Sequence, residues 1–83
     1  MATITVYVTE PAAPLCVRVC EYLDQHGYHY GRVDIATEAD RRAMAERTGR
    51  TSCPLVVVGD QVIGKLEETV QAHTSGRLAA LIG

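Results

Sequence analysis

The fold of this chain is most constrained by its first 35 residues. They contain an alternating run of β-branched residues, then a helical segment and a second extended run. Residues Thr3–Thr9 (TITVYVT) alternate aliphatic side chains with threonine and tyrosine, which is the pattern of a strand with two unlike faces. Pro14, tolerated in a first helical turn, and Gly27, a helix terminator, predict a helix over Pro14–His26. The extended pattern resumes over Tyr28–Ile35. These elements form a βαβ unit, for which we expect a parallel strand pair with a right-handed crossover.

The second half of the chain predicts another helix, a hairpin and a helical C-terminus. Thr37 and Asp40 resemble an N-cap and the acidic residue three positions later, which places a helix over Glu38–Thr48. Residues 54–64 (PLVVVGDQVIG) predict two short antiparallel strands joined by a Gly-Asp turn. Residues 65–82 carry apolar residues at helical spacing and predict one or two final helices. The fold class is therefore α/β, with a four-stranded mixed sheet.

Length and charge narrow the possible partners. The chain has 83 residues, enough for one domain over residues 1–83. Its net charge of −2 gives no electrostatic footprint for nucleic acid or an anionic membrane. The N-terminus lacks a basic segment followed by an apolar one, and no run approaches the roughly 20 apolar residues that span a bilayer. We expect a soluble, cytoplasmic monomer that binds neither nucleic acid nor a membrane.

The chain has three cysteines, Cys16, Cys20 and Cys53, an odd number without the paired spacing of a disulfide framework. Cys16 and Cys20 are four residues apart on the inward stripe of the first helix. Their Cβ atoms would lie about 5–6 Å apart, whereas a disulfide has a mean Cβ separation of about 3.8 Å. We expect free thiols, Cys20 as a small buried hydrophobic residue, and no metal site, because this spacing is no zinc signature.

Four short motifs, in order along the chain, resemble those of the glutaredoxin family. Residues 6–16 (VYVTEPAAPLC) are similar to the family's first strand and its P-x-C-P-Y-C motif, residues 49–54 (GRTSCP) to the loop that ends in a cis-proline, residues 63–68 (IGKLEE) to the I-G-G-x-D-D segment, and residues 75–78 to a late SGRL. The resemblance covers essentially the whole chain and is to a small bacterial glutaredoxin. It implies a minimal thioredoxin fold, with helices on both faces of the sheet and a cis peptide before Pro54.

The resemblance places Ala13 where the family has its attacking cysteine and Cys16 where it has the resolving one. In the family, the helix N-terminus stabilises the attacking thiolate, and an alanine has no thiol to offer. Three explanations stay open: a deliberate replacement of cysteine, a natural loss, or transfer of the nucleophile to another thiol. Cys53, where the family generally has valine, is expected near both positions. It would form a disulfide with Cys16, act as the alternative nucleophile, or simply replace valine.

The implied function is that of a glutaredoxin-like thiol–disulfide oxidoreductase acting on glutathione adducts or protein disulfides. Glutathione would be a co-substrate, with no tightly bound cofactor. The implied substrate site consists of Leu15, Arg50, Ser52, Cys53, Pro54, Gly64, Lys65, Glu67 and Glu68. Because Glu10, Leu15 and Lys65 depart from the family's residues, we expect weak or altered glutathione binding.

Two other functions stay open from the sequence. The first is a thioredoxin-fold binding module without redox activity, which the changes around the cleft favour. The second is an electron donor to ribonucleotide reductase of the glutaredoxin-like type. The W-S-G-F segment of those proteins is absent here.

Overall fold

The computed structural model describes residues 2–9, 11 and 13–83. Its elements are β1 (Ile4–Thr9), α1 (Pro14–Gln25), β2 (Tyr30–Ile35), α2 (Glu38–Thr48), β3 (Leu55–Val58), β4 (Gln61–Gly64), α3 (Leu66–Thr74) and α4 (Arg77–Ile82). This is the predicted order, and the C-terminal segment forms two helices. None of the helices in the described part of the chain is long and apolar enough to cross a membrane.

The predicted junction between the first helix and the second strand was wrong by one to two residues. The helix ends at Gln25 rather than His26, and the strand begins at Tyr30 rather than Tyr28. Gly27 has a φ of 75°, its N–H donates to the Asp24 carbonyl at 3.1 Å, and the next N–H donates to the Leu23 carbonyl at 3.0 Å. This pair of bonds is a Schellman motif, which keeps residues 26–28 in the helix exit.

The sheet has the strand order β2-β1-β3-β4. Strands β1 and β2 are parallel, from Ile4 opposite Tyr30 to Thr9 opposite Ile35. Strand β3 runs antiparallel to both β1 and β4, and a bulge lies between Val56 and Val57. The predicted parallel pair, hairpin and four-stranded mixed sheet are confirmed.

Alternation along the strands divides the core into two clusters, one on each face of the sheet. The first cluster joins alternate strand residues to α1, α3 and α4 and comprises Ile4, Val6, Val8, Cys16, Val19, Leu23, Val56, Val58, Ile63, Ala72 and Leu78. The second joins the opposite face to α2 and comprises Tyr7, Ile35, Met44, Leu55 and Val57. All four residues of β3 are buried, because helices cover the sheet on both faces.

The start of α2 has the capping box that the sequence predicted. The Thr37 hydroxyl accepts from the Asp40 N–H at 3.2 Å, and the Asp40 carboxylate accepts from the Ala36 and Thr37 N–H groups at 3.1 Å. These backbone hydrogen bonds lower the pKa of Asp40. The helix ends at Gly49, whose φ of 74° suits a residue without a Cβ. The capping box therefore fixes the start of α2, and the left-handed glycine fixes its end.

Candidate functional site

The N-terminus of α1 presents Ala13 as its N-cap. This residue is extended, with φ −72° and ψ 158°, and its methyl group makes no capping hydrogen bond. Its N–H donates to the Thr9 hydroxyl at 3.2 Å, and its carbonyl accepts from the Cys16 and Val17 N–H groups. The side chain at position 13 is exposed beside the positive end of the helix dipole, so this position would stabilise an anion.

Cys16 lies one turn into α1 and is 1% exposed. Its sulphur is 3.7 Å from the Thr9 hydroxyl oxygen, and that hydroxyl also reaches the Pro11 carbonyl at 3.1 Å. When the threonine donates to the carbonyl, the thiol donates to the threonine. Thr9 was not identified as a site residue from the sequence, because its contacts with Ala13 and Cys16 form only in the folded chain.

The loop before β3 contains a cis peptide between Cys53 and Pro54, as the family resemblance implied. Pro54 is buried, whereas Cys53 is partly exposed and packs against both core clusters. Its sulphur is 3.9 Å from the Met44 sulphur. Burial raises the pKa of the Cys53 thiol and Cys16 adds to the rise, while Arg41 and Lys65 oppose it. A raised pKa reduces the thiolate fraction at neutral pH.

All three cysteines are free. This agrees with the prediction that Cys16 and Cys20 do not form a disulfide. Cys20 was predicted to be buried but is half-buried, because it packs at the edge of the first core cluster. The Cys16–Cys53 disulfide and a nucleophilic Cys53 stay predictions. No group of three or more histidine, cysteine or acidic side chains in the described part of the chain is arranged to hold a metal ion.

A cleft of about 440 Å³ opens between the N-terminal turns of α1 and α3. It is lined by Leu15, Arg18, Lys65, Leu66, Glu67 and Glu68. Four of the predicted substrate-binding residues therefore share one surface. Leu15 is 46% exposed and gives the cleft an apolar wall, while the lining carries two cationic and two acidic side chains. Such a cleft suits a small ligand with an apolar part and charges of both signs.

Glu68 has a structural role within this cleft. Its carboxylate oxygen accepts from the Lys65 N–H at 2.7 Å and so caps α3. Its side chain lies over Gly64, where φ is 130° and an added Cβ would be 2.8 Å from the Glu68 Cγ. The glycine therefore lets the glutamate fold back onto the helix start.

Five of the nine predicted substrate-binding residues do not line the cleft: Arg50, Ser52, Cys53, Pro54 and Gly64. Arg50 and Ser52 belong to the loop between α2 and β3. The Arg50 N–H donates to the Thr48 hydroxyl at 3.0 Å. Arg41 donates to the Thr51 carbonyl at 2.9 Å and so ties the loop to α2. Arg18 and Arg41 were not identified from the sequence. Arg18 follows Leu15 by three residues, and that helical spacing was the available signal.

Comparison with known proteins identifies the family of this chain. The glutaredoxin family model matches residues 4–63. A glutaredoxin of Ricinus communis is 37% identical over 73 residues, which cover 83% of this chain and 72% of the relative. The chain belongs to the glutaredoxin family.

Other glutaredoxins agree in sequence and in fold. Glutaredoxin-C2 of Arabidopsis thaliana is 37% identical over 83% of this chain and 66% of its own length. The solution structure of a Brucella melitensis glutaredoxin superimposes with a TM-score of 0.78 at 28% identity, over 99% of this chain and 89% of that one. A buckwheat glutaredoxin–glutathione complex gives a TM-score of 0.77 at 25% identity, over 98% of this chain and 76% of that one. The minimal thioredoxin fold is thus confirmed, and family and fold make this chain a glutaredoxin-like thiol–disulfide oxidoreductase.

Proposed function

We propose that this glutaredoxin is built for glutathione-linked disulfide exchange, with its attacking position at Ala13. The observation that carries the proposal is the placement of residue 13 at the exposed N-cap of α1, next to the charged cleft. A thiolate there would attack the glutathionyl sulphur of a mixed disulfide and release the protein thiol. Glutathione thiolate would then attack the new adduct, forming glutathione disulfide and regenerating the first thiolate. Alanine supplies no sulphur for either step.

Cys16 would serve as the resolving thiol for protein disulfides. Its burial and its contact with Thr9 suit a group that acts second, after the first adduct has formed. Cys16 is therefore an incomplete replacement for the missing thiol at position 13. The origin of Ala13, by replacement, natural loss or transfer of the nucleophile, stays open.

Glutathione would lie in the cleft as a co-substrate, with no tightly bound cofactor. Arg18 and Lys65 are the cationic partners for its carboxylates, and Glu67 is the partner for its ammonium group. The backbone of Cys53, beside the cis-proline, would pair with the peptide. The buckwheat complex with glutathione supports this assignment. The length match to the Brucella chain favours the small bacterial type, whereas the relatives with 37% identity are plant glutaredoxins. We propose a reducing, cytoplasmic environment.

Titration with S-methylglutathione, monitored by NMR, tests the binding step without disulfide exchange. We expect saturable amide shifts at residues 64–68 and at the start of α1. Arg18→Glu should weaken binding, whereas Arg42→Glu, an exposed arginine on α2, should not. No shift at residues 64–68 up to about 10 mM ligand, a free energy of only about −3 kcal/mol, would contradict the proposal.

A second candidate is a thioredoxin-fold binding module without redox activity. Two observations favour it: Cys16 is 1% exposed, and burial raises the pKa of Cys53. In that case the cleft would dock a protein or a small thiol ligand. Alkylation of each cysteine across pH distinguishes the two, because a redox centre moved to Cys16 or Cys53 must titrate below about 8.5.

A further inference from the structure

Four ring-bearing side chains cluster where the C-terminal end of α1 meets the last turn of α3. The ring centroids of His26 and His73 are 4.2 Å apart. Tyr22 lies against His26 at 4.4 Å, and Tyr28 meets His73 edge-on at 5.5 Å. These residues are at the opposite ends of the helices whose N-termini form the cleft, so they are outside the site described above.

One imidazole of this cluster is already oriented by a hydrogen bond. The Tyr28 hydroxyl is 2.6 Å from the His73 Nδ1. When Nδ1 carries the proton, it donates to the phenol oxygen and leaves the Nε2 lone pair for another partner. Metal-binding histidines commonly have such an outer hydrogen bond at the second nitrogen.

We propose that His26 and His73 form a two-histidine site for a divalent transition-metal ion of the Ni²⁺ or Cu²⁺ type. With metal–nitrogen bonds of about 2.1 Å, two imidazoles bound in cis positions at right angles have ring centroids roughly 4.5 Å apart. The observed rings are 4.2 Å apart with their planes tilted by 43°, so small side-chain rotations would let both rings bind one ion. Imidazole suits Ni²⁺ and Cu²⁺, which lie near the top of the Irving–Williams affinity order.

The site is a partial one, open to solvent. His26 is exposed and His73 is partly exposed, so an ion reaches them without unfolding. No third histidine, cysteine or acidic ligand joins them among the described residues, and water or a ligand completes the coordination. The bound ion would link α1 to α3 and favour the folded chain over the unfolded one.

Titration of the reduced protein with Ni²⁺, monitored by NMR, tests this proposal, because the paramagnetic ion broadens nearby signals. We expect saturation at one ion per chain, with the signals of Tyr22, His26, Tyr28 and His73 broadened first. His26→Asn and His73→Gln should each weaken binding about tenfold or more. Tyr28→Phe, which keeps both ligands, should weaken it less. His29→Asn removes the remaining histidine of the chain and should leave binding unchanged.

The thermal midpoint provides a second readout that does not depend on assigned spectra. Ni²⁺ should raise the Tm of the native chain and of His29→Asn by several degrees, and should raise the Tm of His26→Asn by clearly less. The proposal fails if both ligand variants bind Ni²⁺ as the native chain does. It also fails if His29 or the cysteines broaden first, or if no saturable binding occurs below about 1 mM.

Discussion

The substitution Ala13→Cys should create a thiol with a lowered pKa, and the structure indicates by how much. Residue 13 is the N-cap of α1, and its exposed side chain is placed to accept from the first N–H groups of the helix. Because Pro14 has no N–H, Leu15 is the first such donor. An exposed helix N-terminus stabilises an anion by about 0.3–1 kcal/mol, and a partly buried one by up to about 2 kcal/mol.

At about 1.4 kcal/mol for each pKa unit, these energies lower a cysteine pKa from about 8.5 to about 7–8. The charges of the cleft lining balance, with Arg18 and Lys65 against Glu67 and Glu68, so the helix terminus sets the pKa, and its upper limit gives the lower value. At a pKa of about 7, the thiolate fraction at pH 7 rises from about 3% to about 50%. The lower basicity reduces the intrinsic reactivity about fivefold, so the net gain in alkylation rate at pH 7 is about threefold.

The assay is iodoacetamide alkylation from pH 5 to 10, with each cysteine followed by mass spectrometry of its peptide. The native thiols in the same sample serve as internal references. Ala80→Cys, an exposed position within α4, is the matched control and should titrate at about 8.5 or above. A midpoint for residue 13 equal to that of residue 80 would refute the argument from the helix terminus.

Four further substitutions test the surrounding structure. Gly64→Ala should cost about 1–3 kcal/mol in chemical denaturation, because φ is 130° and the new Cβ would clash with the α3 cap, while Gly31→Ala, where the space is open, should be nearly neutral. Thr37→Ala should cost about 1 kcal/mol through the lost N-cap. The pKa of Asp40 is lowered in the folded chain, so the ionised carboxylate stabilises the fold fully at neutral pH, and this contribution is lost as the pH falls through the folded pKa. Asp40→Asn should therefore reduce the loss of unfolding free energy at acidic pH. Arg18→Glu should weaken S-methylglutathione binding about fivefold, and an unchanged dissociation constant would remove that arginine from the proposed site.

Local signals in the sequence were sufficient for most of the fold. The alternation of β1, the capping box at Thr37 and the Gly-Asp turn are each complete within a few residues, so their elements were predicted with nearly correct bounds. The end of α1 was misjudged because the Schellman motif places two more residues, through Tyr28, in the helix exit. Short-range sequence patterns do not show how many residues such a helix terminus occupies.

The candidate site could be predicted only where the family motifs reach. Leu15, Lys65, Glu67 and Glu68 were placed together by resemblance, and the structure brings them into one cleft. Thr9 and Arg18 were missed because their places in the site arise only when β1, α1 and α3 pack together. The contact between Tyr28 and His73 joins residues 45 positions apart, which no local pattern encodes.

The central claim is that this glutaredoxin keeps its fold and cleft and lacks only the attacking thiol at position 13. The most direct test is the rate at which a glutathionylated peptide is reduced by glutathione in the presence of the native chain, Ala13→Cys or Ala13→Ser. We predict that Ala13→Cys exceeds the native chain at least about 100-fold and that Ala13→Ser does not. A folded Ala13→Cys variant that is no faster than the native chain would contradict the claim.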